Sequence, residues 1–290
     1  MRTILLQLDS SPHASVFDRI VALDSGADEV ISYGGVQESA VRDLVHGAIF
    51  TRGRKDLHRT ALFVGGVDMD AGERLLSAVQ KAFIGPLRVS VLLDPNGANT
   101  TAVAAVVKLH RAVGELTGRR VLVTGGTGPV GLRASGLLAQ AGAEVTITVA
   151  EASQEADVTT KIAQRFGKSV RTVIAPDSSR TTPLLESADL VLNAGRAGMR
   201  LVERAAWWDR GRLHAIADLN AVPPLGIEGI EVTDDGGQRG GVTAYGAFGI
   251  GALKMKIHRA CIVRLFERND LVLDAETIAE IAGQPELSST

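Results

Sequence analysis

Gly126-Thr127-Gly128-Pro129-Val130-Gly131 is the stretch of this chain whose residue types and spacing point most directly to chemistry. It follows the apolar run Arg120-Val121-Leu122-Val123-Thr124-Gly125 and precedes a helical pattern of apolar residues through Leu137, Leu138 and Ala141. An apolar strand that enters Gly-x-Gly-x-x-Gly at the opening of a helix is the context of a dinucleotide fingerprint. Gly126 is expected to permit the tight turn, Gly128 to let backbone N–H groups approach a pyrophosphate, and Gly131 to let the helix pack against the strand. Thr127, Pro129 and Val130 complete the loop, and the helix N-terminus would offer its unpaired N–H groups and positive dipole end to the phosphates. The plainer alternative is a glycine-rich turn that binds nothing.

Other residues carry chemistry less directly. Glu151 stands about twenty residues beyond Gly131, where an acidic side chain commonly accepts hydrogen bonds from the ribose of NAD. Asp94-Pro95-Asn96-Gly97 is strong turn chemistry, and Asn99 or Thr100 could cap the helix that follows. Lys254, Lys256 and His258 alternate, so that Lys254 and His258 share one helix face while Lys256 points elsewhere. Phe17 and Asp18 open a helix in a chain with few aromatic residues, and Phe17 could equally belong to the core. Trp207-Trp208 reads as packing. Cys261, the single cysteine, sits among apolar neighbours as an ordinary buried thiol, with no disulfide and no cysteine-based zinc site to join. No metal site is expected.

The elements that must position these residues alternate short apolar runs with amphipathic segments, the pattern of repeated β-α units around mainly parallel sheets. Strands are predicted near Ile4 to Leu8, Glu29 to Ser32, Ala61 to Val64 and Val89 to Leu92, with helices over Ser15 to Leu23, Glu38 to Val45 and Asp70 to Phe83. A longer helix from about Thr100 to Leu116 leads to the glycine-rich strand. Beyond it the pattern gives a strand at Glu144 to Val149, a helix over Thr159 to Phe166, and strands at Ser169 to Ile174, Leu190 to Leu192 and Ala215 to Ala217. Gly236-Gly237 and Gly240-Gly241 bracket a turn, and Ile250 to Glu267 forms a strong helical pattern. The fold class is therefore α/β with two α/β domains: residues 1–112, joined by the returning segment 250–290, and a Rossmann-like dinucleotide-binding domain over residues 113–249.

Composition narrows the partners. With 290 residues, 45% of them hydrophobic, the chain has ample material for two cores. A formal net charge of -2 and no long Lys/Arg run remove the usual footprint of nucleic-acid binding. The apolar run near the N-terminus is too short for a signal peptide or a membrane span, so a cytoplasmic protein with small-molecule partners and no membrane association is expected.

Seven segments occur in an order that carries a family resemblance. They are Phe17-Asp18, Thr51-Arg52-Gly53, Phe63-Val64-Gly65-Gly66, the run Asp94 to Thr101, the glycine loop, Asn220-Ala221-Val222-Pro223-Pro224-Leu225-Gly226-Ile227, and the run Gly249 to Cys261. Together they closely resemble the bacterial methylene-tetrahydromethanopterin dehydrogenases, especially the NADP-dependent type that also accepts methylene-tetrahydrofolate. The resemblance spans nearly the whole chain. It implies an enzyme of one-carbon metabolism, a tetrahydropterin site in the cleft between the two domains, and a homo-oligomeric assembly.

The chemistry so implied is hydride transfer from a methylene group bridging two nitrogens, which leaves a methenyl cation stabilised by their lone pairs and needs no general base. The protein then has to position the reactants and exclude water. Asp94 is the candidate for a carboxylate near the developing cation, and Lys254 or Lys256 for an anchor of substrate or cofactor. Phe17, Asp18, Asn96, Asn99, Thr100, Thr101 and His258 are the expected pterin contacts. Asn193-Ala194-Gly195, Asp218 and Asn220 join the glycine loop and Glu151 in the expected cofactor site.

The cofactor the resemblance implies is NAD(P), and here the chain departs from that family. NADP-dependent members carry basic residues at the end of the second Rossmann strand, whereas this chain reads Thr148-Val149-Ala150-Glu151-Ala152-Ser153-Gln154-Glu155. NAD or dual use is expected, unless Lys161, Arg165, Arg180 or Arg196 supplies the missing charge. Two other functions fit the same scaffold: a different NAD(P)-dependent oxidoreductase, and a non-catalytic dinucleotide sensor. The sensor would need only the glycine fingerprint.

Overall fold

The apolar runs and amphipathic segments resolve into two separate sheets. The computed structural model describes residues 1–284, and the chain divides into one unit of Met1–Thr100 with the chain from Met255 onward, and a second of Thr101–Lys254. In chain order the first elements are β1 (Ile4–Asp9), α1 (Val16–Asp24), β2 (Glu29–Tyr33), α2 (Glu38–Phe50), β3 (Thr60–Gly65), α3 (Met69–Ala82), β4 (Ser90–Leu93) and α4 (Ala98–Val113). There follow β5 (Arg120–Thr124), α5 (Pro129–Gln140), β6 (Glu144–Val149), α6 (Ser153–Phe166), β7 (Arg171–Ile174), α7 (Ser178–Leu185), β8 (Leu190–Asn193), β9 (Ala215–Asp218), β10 (Asp235–Arg239) and β11 (Val242–Tyr245). The chain continues through α8 (Ala247–Leu265), β12 (Val272–Leu273) and α9 (Ala275–Ala282). The divisions between units fall within α4 and α8, so each of these helices belongs partly to both.

In the first unit the sheet runs β12-β4-β3-β1-β2, parallel throughout. Its central strand β3 is buried at every position, as a parallel strand covered on both faces must be. Helix starts are set by side chains that accept orphan backbone N–H groups: Ser15 for α1, Asp68 for α3, and Asp274 with Thr277 as a capping box for α9.

The second unit carries the order β10-β11-β9-β8-β5-β6-β7, parallel except for the β10–β11 hairpin. Trp207 is fully buried in its core with Leu201, Val202, Ile216, Ile227 and Val242. Its indole Nε1–H donates to Glu228 O at 3.0 Å, while Trp208 packs under the Arg204 guanidinium at 3.8 Å. Both tryptophans pack, as expected.

Elements that differ from the sequence pattern do so for local reasons. Helix α6 begins at Ser153 rather than Thr159, because its first turns are polar and half-exposed or exposed and show no apolar period. Helix α7 contains Pro183 and starts on an Asp177 cap, and neither β12 nor α9 was anticipated. The Gly240-Gly241 turn has φ of 51° and 75°, and it joins two strands as a hairpin turn of left-handed residues. Among the described residues no helix is long and apolar enough to cross a membrane.

Candidate functional site

At the carboxyl edge of the second sheet the chain leaves β5 toward β6 and β7, then returns to β8 on the other side of β5. Such a switch point opens a crevice between two loops, and ligands of open α/β sheets bind there. Thr124 of β5 lies in register with Asn193 of β8, so the glycine loop and Asn193-Ala194-Gly195 form its two lips.

The glycines divide by what needs them. Gly125 has φ of +61°, and a Cβ on it would lie 2.4 Å from Gly195 Cα. The tight turn thus falls on Gly125, not on Gly126 as the sequence pattern suggested. Gly126 is required by packing instead, since a Cβ there would meet Ile147 and Val123 side chains at 2.8 Å. Gly131 closes the strand–helix contact, its Cβ position being 2.6 Å from Gly126 Cα. Gly128 is different. A Cβ on it would have nothing within 4 Å, its φ of -80° suits any residue, and the protein itself has no use for glycine at this point. Open space beside the first turn of α5, where Val130 and Gly131 N–H groups lack intrahelical acceptors, is a cradle that a side chain would fill. The residues present fit a dinucleotide pyrophosphate.

The strand ends beneath this cradle are held by a buried polar chain. Thr124 Oγ1 donates to Asn193 Oδ1 at 2.8 Å and Asn193 Nδ2 to Asp218 Oδ1 at 2.7 Å. Asp218 also accepts from the N–H groups of Asn220 at 2.9 Å and Ile227 at 2.8 Å. Burial pushes the Asp218 carboxyl up from its ordinary value, and these hydrogen bonds oppose the shift. Asn220 spends its side chain on Val222 N–H and Pro224 O. Asn193, Asp218 and Asn220 are all buried. Their side chains are therefore turned inward and shape the crevice, in place of the direct cofactor contacts expected of them; Ala194 and Gly195 remain half-buried on its lip.

Glu151 is exposed just beyond the carboxyl end of β6, and β6 is bound to β5 in register. Gly125 N–H donates to Thr148 Oγ1 at 2.9 Å, which ties the glycine loop to that strand. The Glu151 carboxylate accepts from Ser153 Oγ at 3.3 Å. Of the cations that might answer a 2′-phosphate, Lys161 pairs with Asp157 at 2.9 Å and Arg165 lies over the Phe166 ring.

In the first unit the structure gathers Asp94, Asn99, Thr100, His258, Phe17 and Asp18. Asp94 is fully buried. Its Oδ1 accepts from the N–H groups of Asn99 at 2.9 Å and Thr100 at 3.1 Å, and its Oδ2 from Thr100 Oγ1 at 2.6 Å. This is helix-capping geometry at the start of α4. The carboxylate expected to face a substrate cation is turned inward, because the strand-to-helix turn consumes its acceptor sites. Asn99 is likewise buried, its Nδ2 donating to Leu93 O at 2.5 Å, and Thr100 is fully buried.

His258, also fully buried, places Nδ1 3.5 Å from Asp94 Oδ2 and Nε2 4.0 Å from Asp18 Oδ1. Its ring stacks on Phe63 at 5.8 Å and meets the edge of Phe17 at 6.4 Å. Asn99, Thr100 and His258 thus support the site from within, where pterin contacts were expected. Burial raises the neighbouring Cys261 thiol pKa, with the Asp94 charge a second cause, as suits an inert thiol.

The surface of this cluster consists of Phe17, 51% exposed, and Asn96, exposed and held at φ of 52°. Lys256 is exposed, and Lys254 and Thr101 are half-buried. Asp9, at the end of β1, escaped the sequence pattern: it is buried and accepts from Ser11 N–H at 2.7 Å and Ser15 N–H at 3.0 Å, fixing the loop that leads into α1. Its place at a strand's carboxyl end was the available signal.

Comparison with known proteins finds relatives that span nearly the whole chain. Residues 16–96 match the family model described as methylene-tetrahydromethanopterin dehydrogenase, N-terminal. The chain is 44% identical to the bifunctional protein MdtA of Methylorubrum extorquens, over 98% of this chain and 99% of that protein. It is 32% identical to the NAD(P)-dependent methylenetetrahydromethanopterin dehydrogenase of the same organism, covering 97% and 99%. Among solved structures, the ligand-free 5-ketofructose reductase of Gluconobacter sp. strain CHM43 shares the fold, with a TM-score of 0.53, 19% identity, and coverage of 97% and 98%.

Proposed function

Because the chain belongs to the methylene-tetrahydromethanopterin dehydrogenase family, we propose that it transfers hydride from the methylene group of methylene-tetrahydromethanopterin, or of methylene-tetrahydrofolate, to NAD(P)+. The carbon–hydrogen bond breaks, both its electrons travel with the hydrogen to the nicotinamide, and the methenyl carbon keeps a positive charge shared by two nitrogens. No proton changes hands. The protein's contribution is positioning in a site closed to water, and the reaction itself calls for no general base.

The observation that carries this reading is the glycine loop, in which Gly128 alone of the fingerprint has open space at its Cβ position. It supports assigning residues 113–249 to the nucleotide. The pterin is assigned to residues 1–112 with the returning segment from 250, over the surface formed by Phe17 and Asn96, with Asp18, expected as a direct contact, buried beneath it. Lys254 and Lys256 anchor substrate or cofactor in this proposal, and Asp94, Asn99, Thr100 and His258 stiffen the floor beneath. NAD or dual use follows from Glu151 at the adenosine end. A cytoplasmic location and a homo-oligomeric assembly complete the proposal.

Steady-state absorbance assays with both methylene-pterins and both nucleotides test it. Methenyl-pterin formation with at least one pairing is expected; nucleotide binding without turnover of either pterin would sink the dehydrogenase reading and favour the sensor.

A further inference from the structure

The loop after β6 contains a contact that Glu151 does not explain. Gln154, in the first turn of α6, folds its side chain back toward the strand, and its Oε1 accepts from Ala150 N–H at 2.9 Å and from Glu151 N–H at 3.2 Å. Those two backbone donors stand at the carboxyl end of the strand next to the glycine loop, where a nucleotide's adenosine ribose lies in this class of sheet. Left open, two successive N–H groups form a nest for an anion. Here a side-chain carbonyl fills it.

The remaining groups of the loop point the same way. Ser153 Oγ turns its donor to the Glu151 carboxylate at 3.3 Å. Glu155 accepts from Thr172 Oγ1 of β7 at 2.9 Å, which places a second carboxylate close by. The loop after β7 adds Asp177, whose carboxylate is engaged with Ser179 Oγ at 2.6 Å and Arg180 N–H at 3.1 Å. The loops after β6 and β7 therefore offer three carboxylates, with the exposed Arg180 beside Asp177 as their cation, while the Ala150 and Glu151 N–H groups are already satisfied.

We infer that Gln154 is a specificity-determining residue: by occupying the Ala150 and Glu151 N–H groups it denies them to a 2′-phosphate, and with Glu151 it sets the site against NADP and toward NAD. Glu151 repels the phosphate through charge, and Gln154 withholds the hydrogen bonds that would offset the repulsion. This inference rests on the proposed NAD(P) dependence, so its test measures nucleotide binding apart from turnover.

Calorimetric titration of the full-length protein with NAD+ and with NADP+ gives a ratio of dissociation constants for the wild type, Q154A and Q154E. Wild type is expected to favour NAD+. Q154A frees the two donors and should move the ratio toward NADP+ by about two- to tenfold, the net worth of a hydrogen bond regained. Q154E keeps an acceptor in the same place, adds negative charge, and should move the ratio the other way. The opposite signs keep the test sound if Q154A disturbs the loop. A wild-type preference for NADP+, or a ratio unmoved by both substitutions, would overturn the inference. Failure of the wild type to bind either nucleotide would instead overturn the function on which it rests.

Discussion

Gly128 and Gly131 are three residues apart, carry the same side chain, and answer to different demands. A Cβ at Gly131 would lie 2.6 Å from Gly126 Cα, whereas one at Gly128 would meet nothing within 4 Å. Gly131→Val is therefore expected to lower thermal stability as well as nucleotide affinity, and Gly128→Val to abolish nucleotide binding while leaving the melting temperature near that of the wild type. Calorimetry and thermal denaturation on the same samples separate them; unchanged affinity in folded Gly128→Val would remove this glycine from the phosphate site. Asp94 makes a second contrast. Its carboxylate caps α4 and borders His258, so Asp94→Asn should cost on the order of 1 kcal/mol of stability, as a weakened cap does. It should raise the KM for the pterin without changing the dissociation constant for the nucleotide. A loss in kcat alone, with stability and KM intact, would restore the carboxylate to the reacting carbon.

At the scale of elements, β1 to β9 were legible because parallel strands tend to be short continuous apolar runs, and β3 and β8 are buried along their whole length. What escaped lacked that signal. Helix α7 opens on hydroxyl residues and contains a proline, and β10, with Gly236 and Gly237 inside it and nearly every residue exposed, has nothing to pattern. The same limit governed the site. Spacing brought out the fingerprint and Asp94, but whether a carboxylate faces a ligand or the protein's own backbone N–H groups depends on its hydrogen bonds, as Asp94 and Asp218 both demonstrate. Asp189, just before β8, shows how the opposite ends of the strands are tied: it accepts from Arg120 N–H and Nη2, each at 2.9 Å, and from Arg212 Nε at 3.3 Å. Burial works to raise its pKa, but the Arg120 hydrogen bonds outweigh this and hold it below its ordinary 3.8. A lowered folded-state pKa means stability that is present above the unfolded value and lost as pH falls through the folded one. Asp189→Asn should cost about 1–3 kcal/mol at neutral pH, and the gap from wild type should shrink below about pH 4. Denaturant titrations across that range check it; a gap independent of pH would mean that the ion pair contributes nothing.

For the whole molecule, the two sheets divide the work in the proposed reaction. One presents a glycine cradle at its switch point, and the other a capped, aromatic-lined surface at the ends of β1 and β4. The proposed reaction moves hydride and no proton, so it asks neither cluster for an acid or a base. The central claim is therefore that the hydrogen leaving the pterin methylene arrives directly on the nicotinamide. Methylene-tetrahydromethanopterin carrying deuterium on both methylene positions, incubated with the enzyme and NAD+ or NADP+ in ordinary water, tests this by mass spectrometry of the reduced nucleotide. One deuterium per nucleotide reduced, with none exchanged from solvent, is the expected result; reduced nucleotide that carries hydrogen from water, or no reduction at all, would contradict it.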